Sequence, residues 1–126
     1  MKKNKILSFL LALPFVFIAS SSSLLAADAE KGKKLFKKCK ACHSVKDGDD
    51  KIGPNLYKIV GRASAAVSGF EYSDGLKALN ITWDEGKLDE WIKKPKKMVK
   101  DTKMIFPGLK KADKRADLIE YLKTLK

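Results

Sequence analysis

Cys39-Lys40-Ala41-Cys42-His43 is the stretch whose reading decides the fold. Two thiols three residues apart, followed at once by an imidazole, form the haem-attachment pattern. The chemistry accounts for the spacing. Each thiol adds to one vinyl group of a porphyrin, and the histidine beside the second thiol is then held under the iron as its proximal ligand. Three other readings compete. A thioredoxin-like Cys-x-x-Cys opens a helix inside a βαβ pattern, whereas the flanking sequence here is helical at both ends and lacks strand-like runs. A structural disulfide leaves His43 without a role. Zinc lacks ligands, because two Cys and one His cannot build the usual four-ligand site without carboxylates or a second chain. The full five-residue pattern is much rarer by chance than a bare Cys-x-x-Cys and favours haem.

With one His in the chain, an iron ligated by two histidines is excluded. A haem iron that carries electrons still needs a second axial ligand, and the candidates are the thioethers of Met98 and Met104 or a lysine amine. Met104 lies in Asp101-Thr102-Lys103-Met104-Ile105-Phe106-Pro107-Gly108, an irregular apolar segment bounded by Pro and Gly that reads as a loop. A loop lets the thioether point at the iron from the face opposite His43. Met98 follows Pro95-Lys96-Lys97 in a basic stretch and reads as a partly buried packing residue. A Met ligand favours reduced iron and raises the potential, which suits one-electron traffic. An oxygen-binding or peroxidase site would instead keep the sixth position open.

The N-terminus reads as a separate unit. Lys2, Lys3 and Lys5 precede an apolar run at 6–18, then four serines at 20–23 and Leu24-Leu25-Ala26-Ala27. A basic start, an apolar core and a small-residue end make residues 1–27 a secretory signal peptide. If it is not cut, the uncharged stretch at 6–27 is long enough to act as a membrane anchor. Export points to the periplasm, where covalent thioether chemistry belongs. The folded domain is then 28–126, and losing the three leader lysines lowers the formal charge from +12 to +9.

The secondary-structure signals are helical. Asp28 can cap a first helix that places Ala29, Gly32, Phe36 and Cys39 on one face. Pro54-Asn55 predicts a short helix at 56–60 that Gly61 can end, and Ser73-Asp74 another near 75–79. Thr82 with Glu85 resembles a capping box for a helix that Pro95 stops, with Leu88, Trp91 and Ile92 inward. Asp113 can cap the last helix, where Leu118, Leu122 and Leu125 repeat at i, i+4, i+7. No useful strand alternation or internal repeat occurs.

Nearly all of 28–126 resembles the class I c-type cytochromes, the mitochondrial-type cytochromes c and their bacterial periplasmic relatives. The resemblance is carried, beside the haem motif, by Gly32-x-x-x-Phe36, Gly53-Pro54-Asn55-Leu56, Gly61-Arg62, Phe70-x-Tyr72-Ser73, Ile81-Thr82-Trp83, Pro95-Lys96-Lys97, Thr102-Lys103-Met104-Ile105-Phe106 and Arg115-Ala116-Asp117-Leu118-Ile119-x-Tyr121-Leu122. It implies a small all-α fold, about four to five helices around one covalently bound haem c and its iron, with the N- and C-terminal helices crossing at Gly32, Phe36 and Tyr121. Cys39 and Cys42 would anchor the haem, and His43 and Met104 would ligate the iron. The Pro54 carbonyl would accept a hydrogen bond from His43. Tyr72, Trp83 and Thr102 would donate to the haem propionates beside Arg62, and Trp91 would pack on the haem near the Met side or simply serve the core. The loop at 44–52, with its three aspartates, is shorter and more acidic than in many relatives. Pro107 stands where a small non-proline residue is common.

Six lysines at 31–40 and six at 93–103 flank the attachment motif and the Met segment. Such a ring of charge steers acidic docking surfaces of redox proteins onto an exposed haem edge. The resemblance names these partners as a quinol:cytochrome c reductase and a terminal oxidase or other acceptor. The expectation is a monomeric electron-transfer protein of the respiratory or photosynthetic chain, not an enzyme, touching the membrane only through a retained leader. Nucleic acid is not expected, since no nucleic-acid motif is present and export argues against it. Two other classes remain: a thiol:disulfide oxidoreductase using Cys39 and Cys42, and a basic exported module adhering to anionic surfaces.

Overall fold

The computed structural model describes residues 26–126, so all but the last two residues of the expected leader, 1–27, lie outside the described residues. Asp28 starts the first helix, α1 (Ala29–Leu35), as its cap: the carboxylate accepts from the amides of Glu30 (2.9 Å) and Lys31 (3.2 Å). The bonds from Lys31 and Glu30 hold the Asp28 carboxyl below its ordinary pKa. The chain then tightens into a 3-10 turn, Phe36–Lys38, and keeps winding. The amides of Cys42 and His43 both donate to the Cys39 carbonyl, at 3.0 and 2.9 Å. The whole five-residue motif therefore hangs from the end of one helix.

The last helix, α5 (Ala112–Leu122), crosses α1. Gly32 sits at the crossing, where a Cβ would run into the Asp117 carbonyl and lie 2.8 Å from Tyr121 Cβ. Beside it the Phe36 and Tyr121 rings meet at 5.3 Å between centroids, and the Asp28 amide donates to Asp117 Oδ1 at 2.7 Å. The cap of α5 differs from expectation. Lys111 occupies the N-cap without a side-chain bond, and Asp113 lies in the first turn, where its charge still favours the helix N-terminus. Leu125 follows the helix end and is nonetheless buried.

Three further helices complete the set among the described residues. In α2 (Asp74–Ala78) the Ser73 hydroxyl caps as expected, accepting from Leu76 N–H at 3.2 Å. In α3 (Glu85–Lys93) the cap is Asp84, accepting from Lys87 N–H at 2.7 Å, and not Thr82. Thr82 is committed to extended backbone by a bridge to Ala63, an isolated β-bridge. Around that bridge, Trp83 donates to Arg62 and Gly61 to Trp83, each at 2.8 Å. Pro95 ends α3 and opens α4 (Pro95–Met98) at its N1 position.

The short helix expected at 56–60 does not form. Lys58 takes a left-handed backbone, φ 49°, which interrupts helical winding. Its amide donates instead to the Leu125 carbonyl at 2.9 Å, tying this tract to the C-terminus. The fold class is all-α as expected, with a core built from Phe36, Ile59, Trp83, Leu88, Ile92, Leu118, Ile119, Leu122 and Leu125.

Candidate functional site

The end of the 3-10 turn, the 52–72 loop, α3 and the 99–110 loop enclose a cleft of about 370 Å³. Cys39, Cys42, His43, Pro54, Arg62, Tyr72, Trp83, Trp91, Thr102 and Met104 all line it, so each candidate site residue reaches one place. Phe36, Leu56, Ile59, Leu76, Leu88 and Ile92 make the remaining wall apolar.

One wall is set by His43, which is 9 % exposed. Its Nδ1 lies 2.7 Å from the Pro54 carbonyl oxygen. That oxygen can only accept, so Nδ1 carries the proton and the Nε2 lone pair is left to coordinate. Burial lowers the His43 pKa, the Pro54 bond opposes that shift, and the positive charge of Arg62 adds to it. The neutral imidazole, the form that binds metal, is favoured. Gly53 makes this placement possible, because a Cβ there would strike the ring, 2.7 Å from Nδ1. Cys39 is half-buried and Cys42 exposed, both as free thiols at the cleft edge. Burial pushes the Cys39 thiol up, and Cys42 adds to the shift.

The polar end of the cleft centres on Arg62. Its Nη1 donates to the Tyr57 carbonyl at 2.9 Å and its Nη2 to the Asn55 carbonyl at 2.8 Å. Its Nε is buried with no partner. A buried N–H left unpaired costs about 1–3 kcal/mol, more on a charged group. Such a buried orphan donor on a half-buried cation matches a carboxylate. Nearby, Tyr72 is buried and its hydroxyl oxygen accepts from the Val67 amide at 3.1 Å, which leaves its own proton to donate. Burial raises the Tyr72 pKa, so that proton stays on.

The 99–110 loop lines the same cleft as His43. Met104 is half-buried on it, and the Thr102 hydroxyl accepts the Met104 amide at 3.2 Å. Met98 lies in α4 and packs against the core, as its sequence context suggested. Trp91 meets Trp83 ring to ring at 5.4 Å while also lining the cleft, so it serves core and site together. The residues present fit a haem: two thiols, a neutral imidazole and a thioether line one largely apolar cleft together with a guanidinium whose buried Nε has no partner.

Two contributors are not evident from sequence alone. Gly53 occurs in a quoted block without an assigned role. Arg115, 5 % exposed, pairs with Asp89 and anchors the far end of the Met104 loop through the carbonyls of Leu109 and Lys110. Among the 24 Lys and Arg of the described residues no local signal marks Arg115 as the buried one.

Comparison with known proteins gives a consistent answer. The family described as Cytochrome c matches residues 29–126. "Cytochrome c 2.1" of Caenorhabditis briggsae is 49 % identical over 98 residues, covering 77 % of this chain and 88 % of that protein. "Cytochrome c-554" of Methylosinus trichosporium is 42 % identical over 123 residues, covering 97 % of this chain and 92 % of that protein. "Cytochrome c2" of Blastochloris viridis is 44 % identical over 110 residues, covering 86 % and 87 %.

Proposed function

Since this chain belongs to the cytochrome c family, a carrier of single electrons on one covalent haem c and not an enzyme, we propose which residues do the work. Cys39 and Cys42 form the thioethers, His43 and Met104 ligate the iron, and Arg62, Tyr72, Trp83 and Thr102 meet the propionates. The observation that carries this reading is the convergence of all these side chains on one apolar cleft. The bound haem supplies an iron that gains and loses one electron. The chain supplies the rest. Pro54 holds the His43 ring and keeps its proton on Nδ1. The apolar wall keeps water out, which limits reorganisation when the charge changes. Arg62 Nε gains the acceptor it lacks.

The test is protein matured in a host that attaches haem. Sharp reduced c-type bands and an intact mass carrying one haem are expected, with the N-terminus near Asp28. Cys39→Ser with Cys42→Ser should let acidified organic solvent strip any bound haem. Met104→Ala should abolish the far-red sulfur-to-iron band of the oxidised form. Reduced protein without sharp bands would overturn the haem reading, and a band surviving Met104→Ala would overturn the ligand.

The finer setting is also proposed. Residues 1–27 direct the domain 28–126 to the periplasm, or tether it to the membrane if they are retained. The match to the Methylosinus trichosporium protein covers 97 % of this chain and so reaches into that segment, which supports a shared leader. The partners are acidic faces of a quinol:cytochrome c reductase and of a terminal oxidase or other acceptor, met by a monomer. All twelve lysines of 31–40 and 93–103 are exposed, and Lys38 and Lys103 reach the rim of the cleft. Steering of this kind is screened over about 8 Å at physiological salt. Bimolecular electron-transfer rates with an acidic partner should fall about tenfold or more between low and 0.2 M salt. Stopped-flow rates unchanged by salt would count against lysine docking.

A further inference from the structure

The loop bearing Met104 is fastened at its start by a side chain that does not line the cleft. Asp101 stands three residues before Met104 and reaches to the opening of α2. Its Oδ2 accepts from the Gly75 amide at 2.9 Å and its Oδ1 from the Ser73 hydroxyl at 3.3 Å. Ser73 is buried, and the same hydroxyl oxygen caps α2 by accepting from Leu76 N–H. The helix cap and the tether are therefore one network. Gly75 provides the room. A Cβ there would overlap Asp101 Oδ1 and lie 3.0 Å from both Asp101 Cγ and Val99 Cγ1. Gly75 is absent from the positive-φ glycines, so space and not backbone freedom explains the residue. A second stitch follows at once, Lys103 Nζ donating to the Glu71 carbonyl at 2.9 Å. Residues 71–75 and 101–104 thus form a seam along one edge of the cleft.

We propose that Asp101 is a positioning residue for Met104: its carboxylate pins the start of the loop against α2, so that the thioether is placed before it is needed. This rests on the reading of Met104 as the iron ligand. The Lys103 stitch cannot replace the pin, because an exposed, flexible ammonium contributes little on its own. Asp101 is exposed too, but it is short and makes a charge-assisted bond to a backbone amide that the fold holds still, with a second bond from the buried Ser73. With the pin removed, the loop spends more time open. An external ligand for the iron then binds more tightly, in proportion to the open fraction.

Imidazole is the probe, titrated into the ferric, haem-loaded protein while the far-red sulfur-to-iron band is followed. Asp101→Ala should tighten apparent imidazole binding about five- to tenfold. Asp101→Asn keeps an acceptor for the Gly75 amide and reverses the second bond, its Nδ2 donating to the Ser73 hydroxyl oxygen, and should stay within about twofold of the parent. Gly75→Ala is the independent arm. Helix propensity alone favours alanine inside a helix, yet here it should expel Asp101 and tighten imidazole binding as Asp101→Ala does. Gly75→Ala also carries the test if Asp101→Ala fails to fold. Parent-like imidazole affinity in Asp101→Ala and Gly75→Ala would overturn the proposal while leaving the ligand assignment intact. An Asn variant as loose as the Ala variant would overturn the hydrogen-bond account. A parent protein with no far-red band would overturn the ligand assignment itself.

Discussion

Replacing Gly32 by valine is expected to remove a large part of the stability of the haem-loaded protein. The first and last helices approach so closely at this residue that a single Cβ would overlap the Asp117 carbonyl oxygen, 2.7 Å from the carbon that bears it. A backbone carbonyl of a helix cannot swing aside as a side-chain tip can. The helices must separate, and separation breaks up what surrounds the contact. The Phe36 and Tyr121 rings at 5.3 Å lose their packing, and the bond from the Asp28 amide to Asp117 lengthens from 2.7 Å. Overpacking alone costs about 1–3 kcal/mol. With the lost ring contact and hydrogen bond, the total should exceed about 3 kcal/mol. A domain of this size has only about 5–15 kcal/mol to lose, and the melting temperature should fall by roughly 15 °C or more. Gly32→Ala should fall between parent and valine, because the first added carbon already clashes. Thermal unfolding followed in the far-ultraviolet decides the matter, and a valine variant melting with the parent would show that the helices can slide apart freely.

The first helix was legible from sequence because its parts are local or repeat at helical spacing, Asp28 as a cap, then Gly32, Phe36 and Cys39 on one face; its crossing with the last helix came only with the family resemblance. The haem motif was more legible still, since five consecutive residues hold the thiols and the imidazole together. Met104 could be separated from Met98 by chain context, and the fold puts one on the cleft wall and the other in the core packing. What stayed hidden depends on contacts distant in sequence. The tract at 56–60 looks helical by composition, but the Leu125 carbonyl takes the Lys58 amide, and Lys58 itself adopts a left-handed backbone. Thr82 with Glu85 satisfies a capping pattern, yet the bridge to Ala63 claims Thr82 and leaves the cap to Asp84. Local sequence contains neither competitor. The tether from Asp101 to Gly75, 26 residues apart, is invisible for the same reason.

Arg115→Leu should be the most damaging change to a charged residue, since this one guanidinium joins three parts of the structure. From α5 its Nε donates to Asp89 Oδ1 on α3 at 2.7 Å, and its Nη2 faces Asp89 Oδ2 at 3.4 Å. Its Nη1 donates to the Leu109 and Lys110 carbonyls at 2.9 and 2.7 Å. The loop leaving Met104 is thereby seated on both helices. Gly108 and Leu109 seat it further: Gly108 at φ 102° has no room for a Cβ against the Lys93 carbonyl, and the Leu109 amide donates to Ile92 at 2.8 Å. Leucine fills part of the space but strands two carbonyls and a carboxylate. Breaking a fully buried pair costs about 3–5 kcal/mol. The Arg115 side chain is 6 % exposed but that of Asp89 is 42 % exposed, so water recovers part of the loss. The net should be about 2–3 kcal/mol, or roughly 10–20 °C in melting temperature. Arg115→Lys keeps the charge without the planar fork, and should lose about 1–2 kcal/mol. Asp89→Asn provides the check on cause. If the pair matters as a pair, Arg115→Leu should cost measurably less in the Asp89→Asn background, by about 1 kcal/mol in a double-mutant cycle. An Arg115→Leu protein within about 0.5 kcal/mol of the parent would mean that the loop is held by Gly108 and Leu109 alone.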